Sequence, residues 1–220
     1  MKKLVLYTGI FGKPGRFNFP KVSDLSVHRF CYTDLDVEEG CNQMIPVRNG
    51  QFIKNDFYQI RKINLDHLDP VRRNRLIKIM IPDELFYNYE YSLYSDCKRP
   101  FTFDLKHMLR RLERGSDLLI RKHRSKRDCA YDEGIYCIGI RKDTKKNIIR
   151  QLRFYERENF PRHLGLYDAS WILRRHTKDM RECMKFWWQQ VKEYSFRDQV
   201  SLPYMIWKRG MKVSIYRGNG

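Results

Sequence analysis

The stretch Tyr89-Glu-Tyr-Ser-Leu-Tyr-Ser-Asp-Cys-Lys98 decides how the rest of the chain reads. Tyr91 to Ser95 is dense in strand-favouring aromatic residues, and Asp96 falls where such a strand should end. In an open α/β sheet, ligands collect in the crevice outside the carboxyl ends of the strands. A carboxylate there, followed two residues on by the cation Lys98, suits a pyrophosphate and its metal ion. Read alone, the same residues describe a strand ending in a solvated Asp-x-Lys turn. The reading therefore rests on what accompanies them along the chain.

At 220 residues the chain fits one domain with a sizeable core. Its 14 Tyr, 13 Phe and 4 Trp, set against few Gly and Pro, argue against disorder. No apolar run approaches the roughly 20 residues that span a bilayer. The start, Met1-Lys-Lys-Leu-Val-Leu-Tyr-Thr-Gly-Ile10, shares only its two lysines with a signal peptide. Its apolar stretch is too short and no small-residue cleavage site follows, so it reads as a first core strand of a soluble, cytoplasmic protein. Cys31, Cys41, Cys97, Cys129, Cys137 and Cys183 form no CxxC pair and read as free thiols in a reducing compartment, with no visible zinc cluster. The formal charge of +18 predicts attraction to polyanions: nucleic acid, an anionic membrane surface or phosphorylated small molecules.

Taken in order, residues 3–10 read as a buried strand and Phe11-Gly-Lys-Pro-Gly15 as the loop after it, with Gly12 and Gly15 allowing close approach of a ligand. A second strand near Val27 to Tyr32 stops at Thr33-Asp34, and that acid is placed to accept hydrogen bonds from a base or ribose. Residues 36–56 are polar and irregular, and Tyr58 to Ile63 offers another strand. Asp69-Pro70 opens a basic helix as N-cap and first-turn proline, with Arg75 and Lys78 on one face. A helix over Asp104 to Arg114 and a short strand over Asp117 to Arg121 follow the Asp96 strand. His123, Arg124, Lys126 and Arg127 then concentrate anion-binding groups ahead of a possible helix start. Lys145 to Asn159 reads as a helix whose Ile148, Ile149, Leu152 and Tyr155 share a side. Ala169 to His176 is a strand, Met180 to Tyr194 a helix carrying Trp187-Trp188, and Ser195 a candidate N-cap for a last helix. From Gly210 the chain reads as a trailing strand or tail.

These pieces, in this order, resemble a family of glycosyltransferase-like domains once catalogued as a domain of unknown function. Its members include plant proteins linked to pectin and mucilage synthesis, with relatives in bacteria and large viruses. The resemblance is carried by Tyr7-Thr-x-Ile-Phe-Gly12, Cys31-Tyr-Thr-Asp34, Asn74-Arg75-x-x-Lys78 and Ser92-Leu-Tyr-Ser-Asp96-Cys-Lys98. It continues through His123-x-x-x-Arg127-x-x-x-Tyr131-x-Glu133, Gln151-x-x-Phe-Tyr155, Ile172-x-Arg174-x-His176, and Trp188 to Ser195-x-Arg197-Asp198-Gln199-x-Ser201.

It implies a single GT-A-like, Rossmann-like α/β domain with a mixed, mostly parallel sheet flanked by helices. Residues 1–100 would form the nucleotide-sugar-binding half and 101–220 the acceptor and catalytic half. The implied activity moves a sugar, of hexosyl or deoxyhexosyl type, from a nucleotide-diphosphate donor such as a UDP-sugar to a hydroxyl of a glycan acceptor. By the same resemblance, Thr8, Gly9, Phe11, Gly12 and Asp34 would line the nucleotide pocket, while Arg75 and Lys78 would approach the pyrophosphate or donor sugar. Asp96 would stand where the first acid of a metal-binding Asp-x-Asp lies, with Lys98 in place of the second. The loss of that acid leaves two options. His176 could join Asp96 as a ligand for Mn²⁺ or Mg²⁺, or Lys98, His123, Arg124 and Arg127 could serve the leaving diphosphate directly.

Glycosyl transfer needs charge stabilisation on the departing diphosphate and on an oxocarbenium-like sugar. Asp198 is the candidate acid, as base or as stabiliser of the sugar cation, with Arg197 orienting it and Gln199 touching the donor sugar. Two other classes stay open: a nucleic-acid-binding module driven by charge, and an inactive transferase fold used for association. Against the first stand Asp34, Asp96 and Asp198, which repel a phosphate backbone, so no nucleic-acid partner is expected.

Overall fold

A computed structural model describes residues 4–12, 18–22, 24, 26–40, 44–46, 52–54, 57–98 and 101–216. Gly15 and Cys41 lie outside them. Among these residues the strands are β1 (Leu4–Ile10), β2 (Lys21–Val22), β3 (His28–Thr33), β4 (Met44–Pro46), β5 (Phe52–Lys54), β6 (Gln59–Lys62), β7 (Tyr91–Ser95), β8 (Thr102–Phe103), β9 (Leu118–Lys122), β10 (Tyr167–Arg175) and β11 (Val213–Tyr216). The helices are α1 (Pro70–Met80), α2 (Asp83–Asn88), α3 (Leu105–Glu113), α4 (Ala130–Gly139), α5 (Lys145–Arg157), α6 (Lys178–Glu193) and α7 (Asp198–Lys208).

Seven strands form one sheet in the order β11-β9-β10-β7-β1-β3-β6. All run the same way except β10, which is antiparallel to both its neighbours. The expected mixed, mostly parallel sheet flanked by helices is what the chain forms. β1 is buried at every position because it has covered faces on both sides. Its residues alternate between them: Leu4, Leu6 and Ile10 enter one core, Val5 and Tyr7 the other. β9 and β10 repeat the pattern, sending Leu119, Trp171 and Leu173 to the first face and Leu118, Ile120, Ala169 and Ile172 to the second. On the first face lies α3, with Leu105, Met108 and Leu112 inward. On the second lie α1, α6 and α7, and α4 and α5 pack outside α7.

The expected strands and long helices stand close to where their patterns place them. Two readings change, and one helix is new. The six-residue helix α2 lies in a stretch that carries no periodic apolar signal. Ser195 does not cap α7: that position belongs to Arg197, while the Ser195 hydroxyl donates to Asp143 (2.7 Å) and accepts from the Arg197 amide (3.1 Å). Gly12 does not open space for a ligand. It sits at φ +79°, and a Cβ there would lie 2.8 Å from Cβ of Pro70, so the glycine lets the end of β1 seat against the start of α1.

Candidate active site

Because β1, β3, β6, β7 and β9 run the same way, their carboxyl ends share one edge, and the start of antiparallel β10 arrives there too. The Asp96 amide donates to the Ser170 carbonyl (2.8 Å), which fixes the Asp96 turn against β10. α1 lies over this edge. Its direction is set by Asp69, whose side chain accepts from the amides of Val71 (3.1 Å) and Arg72 (3.0 Å), and by Pro70 in the first turn.

Side chains from the middle of α1, between Arg73 and Lys78, tie the helix to the strand ends and to α7. Arg73 donates to Oδ2 of Asp34 at 2.6 Å, and Oδ1 of Asp34 takes the Gly12 amide at 2.8 Å. Asn74 donates to the Gly9 carbonyl (2.8 Å), and its own Oδ1 receives the Arg75 guanidinium (3.0 Å) and the Tyr94 hydroxyl (3.4 Å). Gly9 is needed for this approach, since a Cβ on it would meet the Phe11 ring at 2.9 Å and Asn74 Nδ2 at 3.3 Å. Tyr94 also donates to Oδ1 of Asp96 at 2.8 Å. Lys78 ends the series: Nζ donates to Asp198 at 2.6 Å and lies 3.9 Å from Asp96.

Asp198 is therefore the hub. It opens α7, is buried, and meets Lys78 and, at 3.4 Å, Arg75 Nε through the same oxygen. Its other oxygen takes the Gln199 amide at 3.1 Å. Burial alone would push its pKa up, but Arg75, Lys78 and Arg197 outweigh that and hold the carboxyl well below the usual carboxylate range. The same ion pairs pull Arg75 the other way: burial lowers its pKa, but Asp198 and Asp96 raise it above the ordinary guanidinium value. Asp198 stays ionised at any working pH.

A second cluster adjoins the first. Arg121, at the end of β9, donates to Asp168 (2.7 Å) and Ser170 (3.0 Å) at the start of β10. Burial raises the Asp168 pKa, but hydrogen bonds from Ser170 and the charges of Arg121 and Lys78 bring it below the usual value. Arg127 meets the buried Glu133 of α4 at 2.8 Å and stacks on the Tyr136 ring. His123 Nδ1 contacts the Ser125 hydroxyl at 2.7 Å, and burial lowers the imidazole pKa, favouring the neutral ring. Arg197 donates to Oε1 of Gln199 at 3.1 Å, and its buried Nε has no hydrogen-bond partner.

The structure thus brings together Thr8, Gly9, Phe11, Gly12, Asp34, Arg75, Lys78, Asp96, Arg197, Asp198 and Gln199. The roles shift for some. Thr8 is buried against Cys97, its hydroxyl 3.0 Å from the sulfur. Each oxygen of Asp34 already holds a partner from its own chain. Lys98 and Arg124 are exposed at the rim, and Lys78, not Lys98, is the cation that meets Asp96. Asn74 and Tyr94 stand in the motifs of the resemblance without a role assigned to them, and Asp168 goes unmentioned; the signal for Asp168 is its place at the start of a strand.

His176 is not brought to Asp96. It follows the far end of β10, where its amide donates to the Glu90 carbonyl (2.8 Å), about 20 Å of strand from Asp96. There its Nδ1 lies 2.6 Å from the Tyr89 carbonyl, the ring stacks on Phe86, and burial lowers its pKa to about 4. Among the described residues no cluster of three metal-ligating groups includes Asp96. Among the described residues its partly exposed carboxylate accepts one side-chain hydrogen bond, from Tyr94, and faces Lys78 at 3.9 Å. That donor set fits an ion which arrives with a diphosphate and takes one carboxylate from the protein, not an ion caged by the protein alone.

Mouse xyloside xylosyltransferase 1, solved in its apo form, superposes with a TM-score of 0.48 at 9% identity, covering 98% of this chain and 84% of that one. Core-mannan synthase A from Aspergillus fumigatus, solved in its Mn/GDP form, superposes with a TM-score of 0.43 at 8% identity, covering 99% of this chain and 73% of that one. No curated protein matches the chain in sequence. Over residues 1–217 the sequence matches the TOD1/MUCI70 glycosyltransferase-like domain, and the chain belongs to that family.

Proposed function

We propose that the chain transfers a hexosyl or deoxyhexosyl group from a UDP-sugar to a hydroxyl of a glycan acceptor. The observation that carries the reading is the meeting of Asp96, Arg75, Lys78 and Asp198 at the carboxyl edge of the sheet, in a chain of a glycosyltransferase-like family. Residues 1–100 supply Asp96, Arg75 and Lys78 to the donor side, and residues 101–220 form the acceptor side while adding Arg197, Asp198 and Gln199 beside the donor.

Transfer breaks the bond between the anomeric carbon and the β-phosphate oxygen, so negative charge grows on the diphosphate as positive charge grows on the sugar. Arg75, more open than Lys78, meets the diphosphate, with Lys98, Arg124 and Arg127 around the rim. Lys78 stays behind Asp96 and sets the field there. Asp96 would be the protein ligand of a bound Mn²⁺ or Mg²⁺, which would supply further charge neutralisation on the leaving group. Asp198 is too acidic and too enclosed to take a proton from an acceptor. It acts as a positioning residue that holds Arg75 and Lys78, and Arg197 with Gln199 faces the donor sugar beside it. His123, neutral near pH 7, borders the same space as a hydrogen-bonding group for the donor.

Thermal unfolding with UDP, UDP-sugars and GDP, each with and without Mn²⁺, tests this. A ligand of the folded state raises the midpoint. The expected result is a rise with UDP-sugar that grows with Mn²⁺ and is lost in Asp96→Ala. No rise with any nucleotide would overturn the reading.

A second reading draws on a specific surface. Lys145, Lys146, Arg150, Arg153 and Arg157 line a groove of about 600 Å³ along α5, away from Asp96. That stripe favours a polyanion such as nucleic acid, and it requires affinity for a short DNA duplex that collapses as salt rises.

A further inference from the structure

We propose that Cys129, Asp132 and His163 form a zinc site with a fourth position open to water, separate from the edge that holds Asp96. Cys129 is the N-cap of α4, Asp132 lies in that helix's first turn, and His163 comes from the turn after α5. One ligand atom of each lies within 4.8 Å of the other two. A tetrahedral zinc with bonds of about 2.0–2.3 Å holds its ligands about 3.3–3.8 Å apart, so side-chain movements of about an ångström close the set.

An independent feature points the same way. Nδ1 of His163 lies 2.8 Å from Oδ1 of Asp128. Metal-bound imidazoles characteristically give their other ring N–H to a carboxylate, which fixes the tautomer and aims the free nitrogen at the ion. With Nδ1–H donating to Asp128, the ring keeps its lone pair on Nε2, the nitrogen left to bind an ion. The backbone holds the two segments in place, because the Gly165 amide donates to the Asp128 carbonyl at 2.8 Å. A thiolate, an imidazole and a carboxylate together suit zinc better than Mg²⁺ or Mn²⁺, which favour all-oxygen sets. Arg162, 4.0 Å from Asp132 and set over the Tyr131 ring, is the charge that the ion displaces. A filled site would clip the turn after α5 to the helix whose next residue, Glu133, holds Arg127.

Cobalt, titrated into the full chain after chelator treatment, reports on the site through thiolate-to-metal charge-transfer absorption. The expected result is a band that saturates at one ion per chain and is displaced by Zn²⁺. Cys129→Ser should remove it. Because Cys129 is buried, the exposed positions carry the decisive arm: His163→Ala and Asp132→Ala should each weaken binding at least tenfold, and Asp128→Asn about 10- to 100-fold. Zn²⁺ should raise the unfolding midpoint of the wild type but not of His163→Ala, and Asp96→Ala should leave the band unchanged. Absence of the band, or a band indifferent to His163→Ala and Asp132→Ala, overturns the proposal.

Discussion

Removing the carboxylate of Asp198 is expected to destabilise the protein by about 3 kcal/mol, because it strands two cations in the interior. Lys78 and Arg75 meet Asp198 at 2.6 and 3.4 Å, and their side chains are only 2% and 13% exposed. Breaking a buried pair from one side costs about 3–5 kcal/mol, most of it the desolvation of the charge left behind. The lower end applies here, since Lys78 keeps Asp96 at 3.9 Å and Arg75 keeps the Asn74 side chain at 3.0 Å. For a domain of this size the loss corresponds to a fall of about 6–12 °C in Tm. The assay is urea unfolding of Asp198→Asn, Lys78→Met and the double variant at pH 7. The double variant should recover at least about 1 kcal/mol of the summed losses, as coupled neighbours do. The pH dependence adds a sign. A carboxyl whose folded pKa lies below its unfolded value of about 3.9 gives stability that is full above that pH and lost as pH falls below it. The gap between wild type and Asp198→Asn should therefore begin to narrow as pH falls below about 4 and go on narrowing at lower pH. A loss under about 1 kcal/mol at pH 7, or strict additivity in the double variant, would refute the hub role of Asp198.

His176, with a pKa of about 4 against 6.5 when unfolded, favours folding in its neutral form. Its contribution is full above about pH 6.5 and should shrink by about 2 kcal/mol between pH 7 and pH 5 in urea unfolding, a slope that His176→Asn removes. Gly12→Ala places a Cβ at φ +79° and 2.8 Å from Pro70, and should cost about 1–3 kcal/mol in the same assay. Chelation with EDTA should lower sugar transfer at least tenfold, with recovery on adding Mn²⁺ or Mg²⁺, and Asp96→Asn should raise the metal concentration needed for half-recovery.

Much of this was legible in the residues, and what was not has physical reasons. The aromatic run Tyr91–Ser95 and the apolar run of β1 announce strands because both faces of each are covered, and Asp69-Pro70 announces α1 because capping is local. Direction is not local. Period-two burial in β10 says nothing about whether the strand runs with or against its neighbours, and its reversal is what carries His176 to the wrong end of the sheet for Asp96. Ser195 has the chemistry of an N-cap, yet Asp143, 52 residues earlier, competes for its hydroxyl. Gly9 and Gly12 read as ligand-facing, but their missing side chains are filled by Asn74, Phe11 and Pro70. The pairing of Arg121 with Asp168 and the cluster of Cys129, Asp132 and His163 join residues far apart in the chain, a proximity that spacing alone does not encode.

The family assignment holds for residues 1–217. Among the described residues Cys31, Cys97, Cys129, Cys137 and Cys183 are free and buried, and no helix is long and apolar enough to cross a membrane. Sugar transfer at the carboxyl edge of the sheet is tested by the release of UDP from UDP-sugars in the presence of glycan acceptors and Mn²⁺. The expected result is acceptor-dependent release by the wild type and a loss of at least about a hundredfold in kcat/KM for Arg75→Ala and Asp96→Ala, whose folding is checked alongside. Release that is unchanged in both folded variants would contradict it.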